Sequence, residues 1–302
     1  MRASTDPHSP TVNTSDLLKR VRRIEIKAKG LSQELFAGQY KTAFKGKGMA
    51  FSEVREYQPG DDVRDIDWNV TARHNRTYVK VFEEERELTV MLLIDMSASL
   101  NFGTDKETKR TLVAELAATV AFSAIENKDK VGVILFTDRV EKYIPPAKGK
   151  RHILYIIREI LSFTPQAKGT APEEALTFLN RVMKKRSTAF FISDIFLSTD
   201  NTSFTQALKM VALKHDLSAI VVYDRREQNM LPMGLVQFKD PETGHTKWID
   251  TNRKKVRQQY ALRFEQSIAE TRHLFKQYGI DFVESATGED FVKPLIRLFL
   301  NR

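Results

Sequence analysis

Apolar runs of strand length alternate with stretches of helical period along most of the chain. Leu88 to Ile94 is a continuous apolar run, the pattern of a strand buried on both faces of a parallel sheet. Ser187 to Asp194 repeats it and ends in an acid, and Leu217 to Tyr223 is a third buried run. Lys130 to Asp138 predicts a further strand, with Val140 to Pro145 as an antiparallel edge beside it that Pro145-Pro146 ends. Between these lie helices: Lys106 to Asn127, amphipathic with Leu112, Leu116, Val120 and Ile125 among alanines, and Lys150 to Phe163, with Ile153, Ile156, Ile157, Ile160 and Leu161 on one stripe. Ala171 to Lys185 and Thr202 to His215 are also helical. Leu235 to Phe238 and Thr246 to Ile249 form a hairpin. Val256 to Tyr278 is a long helix capped at Gly279, followed by a last strand, Ile280 to Val283, and a closing helix, Phe291 to Leu300. Strands alternating with helices predict an α/β fold with a doubly wound, mostly parallel, Rossmann-type sheet.

The N-terminal third reads differently. Residues 1–14 are polar and rich in Ser, Thr and Pro, the composition of a disordered tail, and Asp16 to Arg23 predicts a short helix capped by Ser15. From about 35 to 87 the chain is rich in loops, with a turn at Pro59-Gly60 and strand-like composition at Tyr78 to Phe82. Its centre mixes charges closely: Arg55, Asp61, Asp62, Arg64, Asp65, Asp67 and Arg73, with Trp68 among them. Arg forks suit bidentate carboxylate pairing, so this block either ties itself together or forms a recognition surface, the structural role being favoured. The same pairing is a simpler account of its four acids than a metal site. The expected division is a tail at 1–14, a small β-rich and loop-rich block at 15–86 packed on the main domain, and a main domain at 87–302. With few aliphatics, the block makes a poor independent core.

Candidate chemistry sits where strands end. Asp95, Ser97 and Ser99 follow the first buried run, Thr170 precedes a helix, and Asp194 closes another strand. Ligands of open α/β sheets bind at the carboxyl ends of strands, and carboxylates with hydroxyls suit a hard cation. The order and spacing resemble the metal-ion-dependent adhesion site of von Willebrand factor A domains, which uses DxSxS, a later Thr and a later Asp. That resemblance implies Mg²⁺, with Mn²⁺ or Ca²⁺ as alternatives. It also implies that Ser97, Ser99 and Thr170 ligate directly and that Asp95 and Asp194 act directly or through water. One position would remain for an acidic side chain of a partner.

The block Gly46-Lys47-Gly48 … Arg55-Glu56-Tyr57-Gln58-Pro59-Gly60-Asp61-Asp62-Val63-Arg64-Asp65-Ile66-Asp67-Trp68 … Ala72-Arg73, followed by an acidic strand and DxSxS, is similar to the bacterial domain-of-unknown-function 58 family. The likeness covers about residues 17 to 300. It implies a von Willebrand factor A-like domain and a partnership with a MoxR-type AAA+ ATPase, or a client of one, as an adaptor or chaperone-like component. Many relatives carry transmembrane helices. Here no apolar run approaches the ~20 residues that span a bilayer, so a soluble cytoplasmic protein is expected.

Composition narrows the alternatives. The absence of Cys removes disulfides, thiolate zinc sites and Cys nucleophiles. The six His show no paired metal spacing, and no P-loop or GxSxG elbow occurs. A metal-dependent phosphoester hydrolase is therefore an alternative rather than the expectation, and the protein is read as no enzyme. The net charge of +9 admits nucleic-acid binding as another alternative, but its basic clusters are short and dispersed.

Overall fold

The structure, a computed structural model, describes residues 14–32, 50–74, 76–83, 87–103, 108–167, 169–194, 202–239 and 244–300. The expected tail lies outside the described residues except for Thr14, which opens the first helix, and Gly46-Lys47-Gly48 and Lys168 lie outside them too. Two compact units emerge: residues 44–88, and residues 1–43 together with 89–302.

The first helix, α1 (Thr14–Leu31), extends well past the expected Asp16-to-Arg23 segment and belongs to the larger unit rather than to the charged block. In the smaller unit β1 (Ala50–Glu56) pairs antiparallel with β2 (Tyr78–Glu83), and α2 (Trp68–His74) lies between them in sequence. A 3-10 turn at Val63–Asp65 leads to Ile66, which bridges to Val79.

The larger unit is built on six strands: β3 (Thr89–Asp95), β4 (Lys130–Phe136), β5 (Val140–Ala147), β6 (Thr188–Ser193), β7 (Asp216–Tyr223) and β10 (Asp281–Ala286). Their order is β5-β4-β3-β6-β7-β10, and only β5 runs antiparallel. β5 continues through Pro145 and Pro146, which were expected to end it, because an edge strand needs no donors on its outer side. Its close approach to β4 requires Gly132, where a Cβ would lie 3.0 Å from both Ile144 O and Pro146 Cδ of β5.

Helices α3 (Lys109–Glu126), α4 (Lys150–Ser162), α5 (Pro172–Val182), α6 (Thr202–Lys214), α8 (Lys254–Gln277) and α9 (Val292–Leu300) join these strands, with the short α7 (Arg225–Gln228) after β7. A hairpin of β8 (Leu235–Lys239) and β9 (Thr246–Asp250) precedes α8. The α4 stripe is buried as its period predicts. α3 is not amphipathic, as its pattern suggested, but buried nearly all round, because α1 covers its outer side. There Lys27 donates to Glu115 at 2.6 Å and Arg20 donates to Thr111 at 3.0 Å, so part of the N-terminal basic cluster holds α1 in place. On one sheet face Met91, Leu93, Phe136 and Phe191 pack with Leu176 and Leu179 of α5 and Phe204 and Leu208 of α6.

Candidate functional site

The chain runs from β3 outward to β4 and β5, then crosses back to β6 on the other side of β3. A doubly wound sheet opens a crevice at such a reversal, outside the carboxyl ends of the two diverging strands. Asp95 is the last residue of β3, and Asp194 follows the last residue of β6.

Asp95 is completely buried. Its Oδ1 accepts from the Ser97 backbone N–H at 2.8 Å, and its Oδ2 accepts from the Ser193 hydroxyl at 2.7 Å. Burial pushes its carboxyl up to about 7, the charge of Asp194 adds to the rise, and the hydrogen bonds from Ser97 and Ser193 oppose it. The Ser97 and Ser99 hydroxyls lie 2.9 Å apart. Ser97 opens a 3-10 turn at Ala98–Asn101 but makes no side-chain cap bond, so its hydroxyl is spent on Ser99. Thr170 does not cap α5 either, since Ala171 holds that position. The Ala171 N–H donates to Thr137 O at 2.9 Å, just beyond β4, which sets Thr170 next to the strand that pairs with β3. Asp95, Ser97 and Ser99 are thus linked directly, the end of β6 joins them through Ser193, and Thr170 is held one strand away.

A lysine completes the edge. Lys109, the first residue of α3, returns beside the 3-10 turn through its N–H to Phe102 O. Its side chain is 2% exposed, and its ammonium donates to Asp194 Oδ2 at 2.6 Å and to Glu227 Oε1 at 2.5 Å. Burial works against the ammonium, but Asp194 and Glu227 outweigh it and hold its pKa above the ordinary value. Burial raises the Glu227 carboxyl in turn, against the pull of Lys109. Glu227 is fixed by a capping box with Asp224 around α7, and Asp224 accepts from Thr287, beyond β10. Among the described residues, Asp194 Oδ1 is buried and has no hydrogen-bond partner.

Lys109, Ser193, Glu227, Asp224 and Thr287 were not among the residues read from the sequence. Three of them left a signal. Asp224-x-x-Glu227 after a buried run is a capping-box pattern, and a lysine opening a helix sits at the wrong end of the dipole unless acids meet it.

Among the described residues no three His, Asp or Glu side chains gather as a metal site. The donor set here is instead two carboxylates with neutral hydroxyls, and its chemistry fits a hard cation. The Ser97–Ser99 separation equals the edge of a Mg²⁺ octahedron, about 2.9 Å for bonds of about 2.0–2.1 Å, and Asp194 Oδ1 is an acceptor lacking a donor.

In the smaller unit the charged block divides. Arg55 makes a two-pronged pair with Asp61 at 2.8 and 2.6 Å; that hydrogen-bonded pairing raises the Arg55 pKa and lowers that of Asp61. Asp62 caps the 3-10 turn through Arg64 N–H, and Asp67 accepts from the N–H groups of Asn69 and Val70 at the start of α2. Arg64, Trp68 and Arg73 are exposed, Trp68 by 68%.

A family model described as "Protein of unknown function DUF58" matches residues 53–270. The uncharacterized protein Rv1480 of Mycobacterium tuberculosis is 28% identical over 98% of this chain and 94% of its own length. YeaD of Bacillus subtilis is 27% identical over 36% of this chain and 25% of its own. Among solved structures, an aerotolerance-related membrane protein from Bacteroides fragilis overlaps 71% of this chain and all of its own, at 16% identity and a TM-score of 0.48. BatB from Bacteroides thetaiotaomicron covers 71% and 98% at 16% identity and 0.44. No helix among the described residues is long and apolar enough to cross a membrane.

Proposed function

The chain belongs to the DUF58 family of proteins of unknown function, and we propose that it is a non-catalytic, metal-dependent protein-interaction module. The observation that carries this reading is the edge between β3 and β6, where the Asp95 and Asp194 carboxylates and the paired Ser97 and Ser99 hydroxyls converge and Asp194 Oδ1 is left without a donor. The strand order, with one antiparallel edge strand, is consistent with a von Willebrand factor A-like domain. Ser97, Ser99 and Thr170, with Asp95 and Asp194, would hold a divalent ion, Mg²⁺ in the first place and Mn²⁺ or Ca²⁺ otherwise. When bound, such an ion supplies a Lewis-acidic position for a partner's carboxylate. The hydrogen bonds from Ser97 N–H and Ser193 fix the Asp95 carboxylate before any partner arrives, and Lys109 does the same for Asp194.

The partner in this reading is an acidic residue of a MoxR-type AAA+ ATPase, or of a client presented to one, met in the cytoplasm. Arg64, Trp68 and Arg73 are the members of the charged block available to it, since Arg55, Asp61, Asp62 and Asp67 are engaged inside their own unit. The test is calorimetric titration of Mg²⁺ and Mn²⁺ into wild type, Ser99→Ala and Thr170→Ala. Saturable binding in wild type, lost in both variants while the melting temperature holds, is the expected result. Equal binding in all three would refute the site.

A further inference from the structure

The position of Lys109 raises a question that the ion reading alone leaves unanswered: why a buried ammonium touches one of the two carboxylates. Lys109 Nζ lies 2.6 Å from Asp194 Oδ2 and 2.5 Å from Glu227 Oε1. Of its two acids, Asp194 is the one at the end of β6 facing Asp95, while Glu227 is farther out, on α7 after β7. The ammonium is therefore the nearer of the pair to the crevice, and the neutral Lys109–Glu227 couple is a dipole with its positive end toward Asp194. In a buried setting that field is weakly screened.

We infer that Lys109 withholds part of the Asp194 charge from the bound ion, so that the ion keeps enough positive character to capture an external carboxylate. The inference rests on the metal-dependent reading above and assigns Lys109 as a positioning and specificity-determining residue within it. A site in which Asp95 and Asp194 both gave their full charge would hold a divalent ion more tightly and leave it less to offer a partner. Lys109 moves that balance toward the partner, and Glu227 sets how far, since it shares the same ammonium. The Asp224–Glu227 capping box and the Thr287–Asp224 hydrogen bond keep Glu227 in place from the neighbouring strand ends.

Two affinities should then move in opposite directions. Wild type, Lys109→Met and Glu227→Gln are titrated with Mn²⁺, and each loaded protein is titrated with acetate while water-proton relaxation follows Mn²⁺-bound water. Lys109→Met is expected to bind Mn²⁺ about tenfold more tightly and acetate more weakly. Glu227→Gln should bind Mn²⁺ about tenfold more weakly and acetate more tightly, because the ammonium then acts on Asp194 alone. As a control, Glu289→Gln removes a carboxylate from the exposed pair with Arg225, beyond the end of β10, and should shift neither affinity more than about twofold. Glu227→Gln keeps an acceptor for the ammonium and decides the matter if Lys109→Met does not fold. Variants that bind like wild type, or a Glu227→Gln protein whose two affinities fall together, would overturn the inference and leave the ion site standing. A wild type that takes up no Mn²⁺ would remove the ion site and the inference with it.

Discussion

Asp95→Asn should stabilise the metal-free protein at neutral and alkaline pH. The Asp95 carboxyl is buried at the end of β3, and burial together with Asp194 raises its pKa from 3.8 to about 7. A carboxyl whose folded pKa lies above its unfolded value holds its proton longer in the native state. Its contribution is therefore complete below about pH 4 and is lost as pH rises through about 7. A shift of about three units at 1.36 kcal/mol each amounts to about 4 kcal/mol of stability lost by pH 8. Asparagine carries no charge to bury. Its Oδ1 still accepts from Ser97 N–H, and its amide donates to the Ser193 oxygen once that hydroxyl turns. Urea unfolding in EDTA from pH 4 to pH 8 measures the difference between variant and wild type. That difference should grow by about 4 kcal/mol in favour of the variant across this range. Millimolar Mg²⁺ should then close the gap by stabilising wild type alone. A difference that stays flat with pH, or that grows in favour of wild type, would refute the reasoning, since a constant offset reflects only the new amide's fit.

His215 should act in the opposite sense. Burial, with Lys214 and Arg186 nearby, lowers its pKa to about 4, so its contribution is present above pH 6.5 and lost as pH falls toward 4, by about 3 kcal/mol. His215→Gln should flatten that acid limb in the same unfolding series. Gly132→Ala drives a methyl to 2.8 Å from Met91 Sδ and 3.0 Å from Ile144 O, and should cost about 1–3 kcal/mol in denaturant unfolding. Lys27→Ala leaves the Glu115 carboxylate, 4% exposed, without its ammonium and should cost about 2–3 kcal/mol, whereas Glu115→Gln should cost less. Trp68→Ala, at a side chain largely in water, should leave the melting temperature within about a degree while weakening capture of the partner.

What could be read from the chain was whatever a local pattern encodes. The α4 stripe, the hairpin around Gly244, the Gly279 terminus of α8 and the central strands each follow from a period or a turn residue, and each is found in place. Asp95, Ser97 and Ser99 were legible because they adjoin one another at the end of a recognisable strand. What failed depended on partners distant in sequence. The period of α3 gave no hint that Glu115 and Thr111 face α1, because their partners Lys27 and Arg20 lie some ninety residues earlier. The two prolines of β5 are strand breakers except at a sheet edge, and the edge is a property of topology. Lys109 was not singled out because the acids that meet it, Asp194 and Glu227, lie 85 and 118 residues away.

The placement of the basic groups bears on the hydrolase alternative. Hydrolysis at the edge between β3 and β6 would call for a general base there, ordinarily a histidine or a carboxylate with a free oxygen facing water. The hydrogen-bonded imidazoles of buried His215 and half-buried His152 lie at the opposite end of the sheet. His215 accepts from Ser187 just before β6 begins, and His152 meets Val131 O near the start of β4. A six-residue strand spans about 20 Å, too far for a proton to be shared with Asp95. At the edge itself both Asp95 oxygens accept hydrogen bonds, and Glu227 is bound by Lys109 and by the Asp224 N–H. Among the described residues Asp194 Oδ1 is an acceptor without a hydrogen-bond partner and is buried from water, whereas the Asp138 carboxylate, just beyond β4 and beside Gly169, is exposed. An oxygen out of reach of solvent is badly placed to activate a water molecule and well placed to meet a desolvated cation. At Asp194 that contrast favours holding an ion over activating water. Asp194→Asn provides the discriminating assay: abolished Mn²⁺ uptake, with a generic phosphoester left intact by variant and wild type alike, is expected, and Mn²⁺-dependent cleavage by wild type that the variant loses would reverse the conclusion.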